Sequence, residues 1–317
     1  MKILVNDKLA TEAINMLKDA GYEVDTNSRD HDGLIRDIGN FDGILVRSGT
    51  KVKTDIVEKG AEGNLKVIGR AGIGVDNIDI ETAGKKGIPV VNSPSGATAS
   101  VAELAIGHML ALSRNIPRAD STMRKKEWAK KQLKGNELFE KTLGLIGSGG
   151  IAQYNSKIAN GFGMNVLVYS PHCTEEKAKK MGAKLSTFEE ILKNSDFVSL
   201  HVPHNKDTHY IIDKKELSLM KDSAYLIDVS RGGVVNQKAL YNHLKEGKIA
   251  GAAIDVYEEE PPKDNLFIEF ENVVLTPHLG ANTKEGQIRA GTVCAEQIIK
   301  VLKGETPEHC VNTKFLS

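Results

Sequence analysis

The chain has few cysteines, few aromatic residues and no excess of charge of either sign. Three cysteines occur among 317 residues and none forms a Cys-x-x-Cys pair, so we expect neither a disulfide framework nor a structural metal site. Lys plus Arg and Asp plus Glu both number 42, which gives a formal net charge of zero. Because general nucleic-acid binding depends on an excess of positive charge, we expect no nucleic-acid partner.

Long hydrophobic runs are also missing. The longest apolar stretch, from Val101 to Leu112, contains Glu103 and His108 and is shorter than the roughly 18 residues that a membrane span needs. The apolar run Ile3–Val5 near the N-terminus is too short for a signal peptide and indicates a first strand. We therefore expect no membrane association and a cytoplasmic location.

Short apolar strands alternate with amphipathic helices along the chain. This alternation predicts parallel sheets with right-handed crossovers, in which strands that are apolar on both faces are buried. One series of strands fills the first hundred residues, and a second series of six begins near Thr142. Between them we expect a long helical stretch from Ser100 to Lys131. A final helix from Lys284 to Lys303 is expected to return to the first domain.

The fold class that follows is α/β, with two doubly wound parallel-sheet domains. A chain of 317 residues is longer than one ordinary domain. We predict a flavodoxin-like substrate domain from residues 1–97 plus 286–317. A Rossmann nucleotide domain, residues 98–285, is predicted to be inserted between these two parts.

The strongest local signal is a glycine-rich turn between a predicted strand and a predicted helix. The segment Gly147–Ala152 has the pattern Gly-x-Gly-x-x-Ala. In a dinucleotide-binding fold, Gly147 would permit the tight turn and Gly149 would let the backbone approach a pyrophosphate at the helix N-terminus. The alternative is a purely structural turn, but the position between strand and helix favours dinucleotide binding.

The residue expected to bind the adenine ribose is not acidic. At the end of the second strand of this domain, where a carboxylate usually stands, the sequence has Ser170. A carboxylate would exclude the extra phosphate of NADP, and no arginine follows immediately to bind that phosphate. The choice between NAD and NADP therefore stays open, since Ser170 can also hydrogen-bond the ribose hydroxyls of NAD.

Three later segments each place a chemically active residue after a predicted strand. These residues are Arg231, Glu260 and His278. In open parallel sheets, ligands bind at the carboxyl ends of the strands. Taken singly, Arg231 could be a surface cation, Glu260 could belong to an acidic run, and His278 could be an ordinary loop residue. Together, in order on consecutive strands after a nucleotide motif, they indicate a chemical site more strongly than any of them does alone. His278 can act as acid and base, Glu260 can orient its imidazole, and Arg231 can bind a carboxylate or keto oxygen.

These segments resemble those of the D-2-hydroxyacid dehydrogenases, and the resemblance covers essentially the whole chain. Within that family the chain is most similar to the phosphoglycerate dehydrogenases, in a short form that lacks a C-terminal regulatory domain. Besides the glycine turn and the three catalytic segments, the resemblance rests on Val46–Thr50, Gly69–Asp79, Asn92–Gly96 and Trp128–Leu138. Two positions depart from the family pattern: Ser170 replaces an acidic residue, and Asp228 replaces a more usual asparagine.

The resemblance implies a nicotinamide cofactor, NAD or NADP, and a homodimer with the Ser100–Lys131 stretch at its interface. Asp255 is implied as the acceptor for the nicotinamide amide. The full set of expected cofactor contacts includes the two glycines of the turn. It consists of Gly147, Gly149, Gly150, Ile151, Ser170, Val202, Val229, Asp255 and Gly280.

An anionic substrate requires cations and backbone amides. The candidate substrate contacts are Arg47, Arg70, Gly72, Ile73, Gly74 and Lys131. Arg47 and Arg70 each follow a predicted strand of the first domain, and the alternative is that they pair with Asp76 or Asp79. By family likeness, Lys131 approaches from the partner subunit, although most of the basic segment around it fits a solvated helix face.

The implied reaction is hydride transfer between the dinucleotide and a small D-2-hydroxy acid. The first choice of substrate is 3-phosphoglycerate with its product 3-phosphohydroxypyruvate, as in serine biosynthesis. The alternatives are reduction of glyoxylate or hydroxypyruvate and oxidation of sulfolactate. A rival of another class is a transcriptional corepressor that senses the dinucleotide, which the combination of Arg231, Glu260 and His278 disfavours.

Overall fold

A computed structural model describes residues 1–316 and separates the chain into two compact units. The first unit comprises Met1–Thr98 and the segment that begins at Ala281, and the second comprises Ala99–Gly280. Each unit contains one fully parallel sheet, of five strands in the first and seven in the second.

Strands and helices alternate in both units, and their bounds in chain order are as follows. Strands β1 to β5 are Lys2–Val5, Glu23–Asp25, Gly43–Val46, Val67–Arg70 and Val90–Asn92, and helices α1 to α4 are Thr11–Asp19, His31–Asp37, Thr54–Glu62 and Ile80–Lys85. Helices α5 to α11 are Thr98–Ser113, Ile116–Arg124, Gly150–Gly161, Glu175–Lys180, Phe188–Asn194, Lys214–Leu217 and Gln237–Lys245. Strands β6 to β12 are Thr142–Ile146, Asn165–Tyr169, Lys184–Leu185, Phe197–Leu200, Tyr225–Asp228, Gly251–Ile254 and Val273–Leu275, and the last helix, α12, is Lys284–Leu302.

The five-stranded sheet has the order β2-β1-β3-β4-β5, which is the flavodoxin-like order. Helix α12 packs on this sheet, and its buried Cys294 and Ile298 share an apolar cluster with residues of β1, β3 and β4. Gly69 in β4 makes this approach possible, because a Cβ atom there would lie 2.5 Å from Cδ1 of Ile298. The last helix therefore completes the core of the first unit, as the sequence predicts.

The seven-stranded sheet has the order β12-β11-β10-β9-β6-β7-β8. The six predicted strands are present, and β8, Lys184–Leu185, is additional. A strand of two residues carries no apolar pattern, so its sequence could not indicate it. The reversal of strand order at β6 and β9 is the switch point at which doubly wound sheets bind their ligands.

The predicted helical stretch from Ser100 to Lys131 is interrupted. Helix α5 ends at Ser113 and α6 begins at Ile116, with Asn115 in the left-handed region at φ 53°. Asparagine tolerates this conformation, and Pro117 in the first turn of α6 suits a helix start because it has no N–H to leave unbonded. A 3₁₀ turn, Lys130–Gln132, follows. Across residues 1–316, no helix is long and apolar enough to cross a membrane.

Candidate active site

The carboxyl ends of β10, β11 and β12 lie side by side at one edge of the seven-stranded sheet. Asp228 is opposite Ile254, and Ile254 is opposite Leu275 in the strand register. The next residues along the chain, Asp255 and Thr276, therefore emerge at the same edge. The loops that follow these strands carry Arg231, Glu260 and His278, all within the second unit.

Glu260 and His278 form a direct pair. Nδ1 of His278 lies 2.7 Å from Oε2 of Glu260, and both side chains are partly exposed, at 42% and 38%. The second carboxylate oxygen, Oε1, accepts a hydrogen bond from the backbone N–H of Tyr257 at 3.1 Å. Since Nδ1 is engaged, Nε2 is the ring nitrogen that a substrate can approach.

The pKa of Glu260 lies below its ordinary value. Burial by itself favours the protonated carboxyl, but the hydrogen bond and charge of His278, the N–H of Tyr257 and the charge of Arg231 together outweigh it. Glu260 is therefore a carboxylate near neutral pH. A carboxylate in this position holds the imidazole in one orientation.

The backbone holds His278 in an unusual conformation. Its φ of 52° lies in the left-handed region, which histidine occupies more often than most residues. The N–H of His278 donates to the carbonyl oxygen of Asp255 at 2.8 Å. Residues held in sparsely populated backbone regions cluster at functional sites, where neighbouring contacts determine their direction.

Arg231 follows β10 and lies near the same pair. Its Nη1 donates to the carbonyl oxygen of Ser230 at 2.7 Å, and its charge lowers the pKa of Glu260. The next residue, Gly232, lies against the backbone carbonyl of Tyr257, so that a Cβ atom there would overlap this carbonyl. Glycine at this position lets the Arg231 segment approach the segment that leads to Glu260.

The glycine turn has the geometry of a phosphate site. Gly147 has φ 112°, and a Cβ atom there would overlap the carbonyl oxygen of His201. Gly149 is the N-cap of α7 and supplies no side-chain cap. A Cβ atom at Gly149 would have no other atom within 4 Å, so the space beside it is open. By contrast, Thr187 and Asn236 cap α9 and α11 with side-chain oxygens. The first-turn N–H groups of α7 therefore suit the oxygens of a pyrophosphate.

The other implied cofactor contacts lie at the same edge of the sheet. Gly150 and Ile151 begin α7, and the remaining residues follow strand ends in order, namely Ser170 after β7, Val202 after β9, Val229 after β10, and Asp255 and Gly280 beyond β11 and β12. The residues present thus fit a dinucleotide that extends along this edge.

Asp255 is buried and accepts three hydrogen bonds. Its Oδ1 accepts from the hydroxyl of Thr276 at 2.6 Å and from the N–H of Leu279 at 2.7 Å, and its Oδ2 accepts from the N–H of Gly280 at 2.9 Å. These three hydrogen bonds fasten the His278 loop to β11. Because Oδ1 already has two donors, Oδ2 is the oxygen with room for another.

Sequence reasoning missed two residues of this network. Nε2 of His108, on α5, lies 3.2 Å from the Thr276 hydroxyl, across a separation of 168 residues. The Thr276 hydroxyl donates to Asp255, so His108 is the donor to Thr276. Burial lowers the pKa of His108, although the charge of Asp255 acts in the opposite direction. The lowered pKa keeps the imidazole neutral. The only signal in the sequence was a histidine within an apolar helix.

Asp228 also has a more specific environment than the sequence suggested. It is buried, and its Oδ1 accepts from the N–H of Ser230 at 3.1 Å and from the hydroxyl of Ser230 at 2.6 Å. Burial, aided by the charge of Asp255, raises the pKa of Asp228 to about 7, against the Ser230 bonds and the charge of Arg231. The sequence showed that aspartate stands where asparagine is more usual, but it could not show the burial of this residue or its hydrogen bonds.

The candidate substrate residues of the first unit also gather at one sheet edge. Arg47 follows β3, and Arg70 ends the adjacent strand β4, where it is opposite Val46. The Arg70 guanidinium lies over the Cα of Gly72, where any side chain would overlap it. Ile73 and Gly74 continue this turn, and the carbonyl of Ile73 accepts from the amide of Asn92 at 2.7 Å.

Neighbouring groups restrain Arg47. Its backbone N–H donates to Oδ2 of Asp7 at 2.5 Å, and its carbonyl accepts from the amide of Asn77 at 2.8 Å. Asp79, one of the carboxylates considered as a partner, accepts from the hydroxyls of Thr54 and Thr82. Lys131 belongs to the second unit and is exposed on its 3₁₀ turn.

Comparison with known proteins places these features in one family. Residues 106–280 match the family model of the D-isomer specific 2-hydroxyacid dehydrogenases, NAD binding domain, and the chain belongs to this family. A nicotinamide dinucleotide is accordingly the cofactor of the seven-stranded unit.

Relatives and solved structures align along nearly the whole chain. A D-3-phosphoglycerate dehydrogenase of Methanocaldococcus jannaschii is 49% identical over 98% of this chain and 59% of its own length. The chain thus spans about three fifths of the curated phosphoglycerate dehydrogenase relatives it matches. A hydroxypyruvate reductase of Thermotoga maritima is 44% identical over 95% of this chain and 98% of its own length. An acyclic imino acid reductase solved with NADPH and D-Arg has a TM-score of 0.88 at 32% identity, over 98% of this chain and 100% of its own.

Proposed function

We propose that the protein is an oxidoreductase that transfers a hydride between a nicotinamide dinucleotide and a D-2-hydroxy acid. The observation that carries this proposal is the pairing of His278 with Glu260 at 2.7 Å, beside Arg231 and on the sheet edge that holds the uncapped glycine turn. A proton acceptor, a cation for the carboxylate and a dinucleotide site are the three elements that this oxidation needs.

The protein's own residues supply the proton transfer and the orientation. When bound, the nicotinamide accepts or donates the hydride. In the oxidative direction, Nε2 of His278 takes the proton from the substrate hydroxyl, while Glu260 stabilises the imidazolium that forms. In the reductive direction, the protonated His278 returns that proton to the keto oxygen. The planar guanidinium of Arg231 binds the substrate carboxylate or the keto oxygen.

Asp255 is assigned to the nicotinamide amide. Its Oδ2 has one donor, the N–H of Gly280, and is the oxygen that can accept the amide N–H. The hydroxyl of Thr276 and the N–H of Leu279 hold Oδ1 in place. The carboxamide would thereby be oriented so that one face of the ring is presented to the substrate.

The substrate we propose is 3-phosphoglycerate, oxidised to 3-phosphohydroxypyruvate in serine biosynthesis. This choice is supported by the relative from Methanocaldococcus jannaschii and by two arginines at adjacent strand ends, since a phosphate dianion favours fixed cations. Lys131 of a partner subunit is assigned as a third cation. Hydroxypyruvate is the second candidate, because the Thermotoga maritima reductase matches the chain over 98% of its own length. Glyoxylate and sulfolactate remain alternatives, as does the corepressor role.

One assay discriminates among these candidates. The purified protein is given 3-phosphohydroxypyruvate, hydroxypyruvate, glyoxylate or sulfopyruvate with NADH or NADPH, and kcat/KM is determined for each pair. We expect the highest value with 3-phosphohydroxypyruvate. In Arg47→Ala this value should fall about tenfold or more, since a charge-assisted hydrogen bond contributes about 1.5–3 kcal/mol, while hydroxypyruvate turnover should hardly change. Equal losses on both substrates would favour hydroxypyruvate, and no turnover of any pair would favour the corepressor.

Either NAD or NADP is compatible with the ribose site. Ser170 follows β7 where a carboxylate would exclude a 2′-phosphate. The related imino acid reductase solved with NADPH supports acceptance of the phosphorylated form, whereas the family model names NAD. We therefore propose relaxed discrimination between the two cofactors.

A homodimer is proposed through the region that spans α5, α6 and the 3₁₀ turn. Ile116, Met123 and Trp128 are exposed there, at 52%, 56% and 78%, although large apolar side chains are usually covered. A cytoplasmic location is also proposed, and is supported by the three cysteines, which are all free thiols.

A further inference from the structure

A chain of hydrogen bonds leads from helix α5 to the loop that carries His278. His108 on α5 is 3% exposed, and its Nε2 lies 3.2 Å from the hydroxyl oxygen of Thr276. That hydroxyl donates to Oδ1 of Asp255 at 2.6 Å. Asp255 in turn accepts from two backbone N–H groups of the loop, directly after His278. All members of this chain lie in the second unit.

The positions of the protons in this chain follow from the number of its donors and acceptors. Thr276 has a single hydroxyl proton, and the carboxylate of Asp255 accepts it. Across residues 1–316, Nδ1 of His108 has no hydrogen-bond partner. A proton on Nδ1 would bury an unpaired N–H and leave Nε2 to compete with Asp255 for the Thr276 proton, whereas a proton on Nε2 satisfies every donor. His108 is therefore a donor, and the chain runs in one direction toward Asp255.

The contact with His108 restrains the hydroxyl of Thr276. The hydroxyl oxygen accepts from the imidazole, so its own proton is directed at the carboxylate of Asp255. A hydroxyl that accepts one hydrogen bond is also a stronger donor in the next. Together with the N–H of Leu279, this donor holds Oδ1 of Asp255 in place and leaves Oδ2, which has one donor, as the oxygen with room for another.

We propose that His108 is a positioning residue for the dinucleotide. Through Thr276, it fixes the carboxylate of Asp255 in the orientation that accepts the nicotinamide amide. His108 acts through this hydroxyl and needs no contact with the dinucleotide. The inference rests on the proposed function, which assigns the nicotinamide amide to Asp255.

The alternative is that His108 only fills space on the buried side of α5. Its neighbours Ala105, Met109 and Leu112 are buried apolar residues. A residue that only fills space would affect stability, or it would affect the binding of every part of the dinucleotide alike. A positioning role through Asp255 affects only those ligands that have an amide N–H to donate. Ligands that lack the amide therefore separate the two explanations.

The experiment compares three ligands by calorimetric titration. They are NAD, ADP-ribose, which lacks the nicotinamide, and 3-acetylpyridine adenine dinucleotide, in which an acetyl group without N–H replaces the amide. If the wild type binds NADP more tightly than NAD, the 2′-phosphorylated counterparts are used. In His108→Leu, NAD should bind about two- to tenfold more weakly, which is the range of one hydrogen bond. The affinities for the other two ligands should stay as they are in the wild type.

Three further variants test the path of the effect. His108→Gln keeps an N–H at the same number of bonds from Cβ as Nε2, so it should restore most of the NAD affinity. Thr276→Val removes the hydroxyl through which His108 acts and should weaken NAD binding at least as much as His108→Leu. In that background, His108→Leu should cause no further loss, because the link is already missing. The matched control is His243→Leu on α11, since His243 is also buried and its Nε2 lies 3.2 Å from the hydroxyl of Ser218. It should leave all three affinities unchanged.

Several results would overturn the inference while dinucleotide binding stands. They are an unchanged NAD affinity in His108→Leu, an equal weakening of NAD and ADP-ribose in that variant, and a wild type that binds NAD and the acetylpyridine analogue equally well. Thermal unfolding of each variant shows whether its fold is retained. If His108→Leu fails to fold, Thr276→Val takes its place, and an unmoved NAD affinity there overturns the inference. If the wild type binds no dinucleotide, the proposed function fails together with this inference.

Discussion

At the scale of single residues, His278 carries the most specific chemical role. Replacement of His278 by asparagine removes the group that exchanges a proton with the substrate and leaves the dinucleotide turn untouched. We expect kcat to fall by about 10²–10⁴-fold with nearly unchanged dinucleotide affinity. Steady-state kinetics and calorimetry measure the two quantities, and His31→Asn, on α2 in the first unit, serves as a control. Normal turnover in His278→Asn would exclude it as the acid and base.

Ser170 is the residue at which cofactor choice can be altered. A carboxylate in Ser170→Asp would hydrogen-bond the ribose hydroxyls of NAD and repel the 2′-phosphate of NADP. We expect the ratio of kcat/KM for NAD over NADP to rise because the value for NADP falls selectively. Ser223→Asp, at an exposed position just before β10 and so at the opposite edge of the sheet, adds the same charge away from this site and should leave the ratio constant. An unchanged ratio in Ser170→Asp would show that another residue sets this preference.

At the scale of secondary-structure elements, most of the fold could be predicted from the sequence. Periodic apolar positions are local information, so the alternation of strands and helices was visible, and so was the return of α12 to the first unit. The break at Asn115 depends on one left-handed residue, and β8 is only two residues long. Features of this kind have no periodicity to detect.

The site was predictable only in part, for a related reason. Arg231, Glu260 and His278 each follow a strand, and strand ends can be located from sequence. The contact between His108 and Thr276 joins residues 168 positions apart, and no local pattern reports it. The same holds for Asp228, whose properties come from burial and from Asp255, and burial of a polar group becomes apparent only in the folded chain.

The loop after β10 and the loop after β11 approach each other closely at Gly232, and this approach positions Arg231. Gly232 lies against the carbonyl of Tyr257, so Gly232→Ala must move the Arg231 segment away from the segment of Glu260. We expect a lower kcat and a lower thermal midpoint, since a forced backbone shift typically costs about 1–3 kcal/mol. Gly161→Ala on α7, where a Cβ atom finds nothing within 4 Å, should leave both unchanged or raise the midpoint. Unchanged kinetics in Gly232→Ala would mean that this approach does not matter for Arg231.

At the scale of the whole molecule, the proposed dimer depends on the apolar surface of α6. Met123→Glu places a charge on a side chain that is 56% exposed in the single chain, so folding of the monomer should be unaffected. If this surface is an interface, the charge is buried on association and the dimer should dissociate at micromolar concentration. Sedimentation velocity measures the outcome. Ile268→Glu, which changes another exposed apolar residue, should leave the association state as it was. A monomeric wild type would contradict the proposal.

The position of α12 has a consequence for how the molecule is made. The first unit lacks Cys294, Ala295 and Ile298 of its apolar core until the segment Lys284–Leu302 has left the ribosome. By then the whole second unit has been synthesised and can already be folded, since domains generally fold as units during synthesis. The part of the protein that is translated first is therefore the part that finishes folding last, and until then one face of the first unit's sheet is covered only in part, by α1.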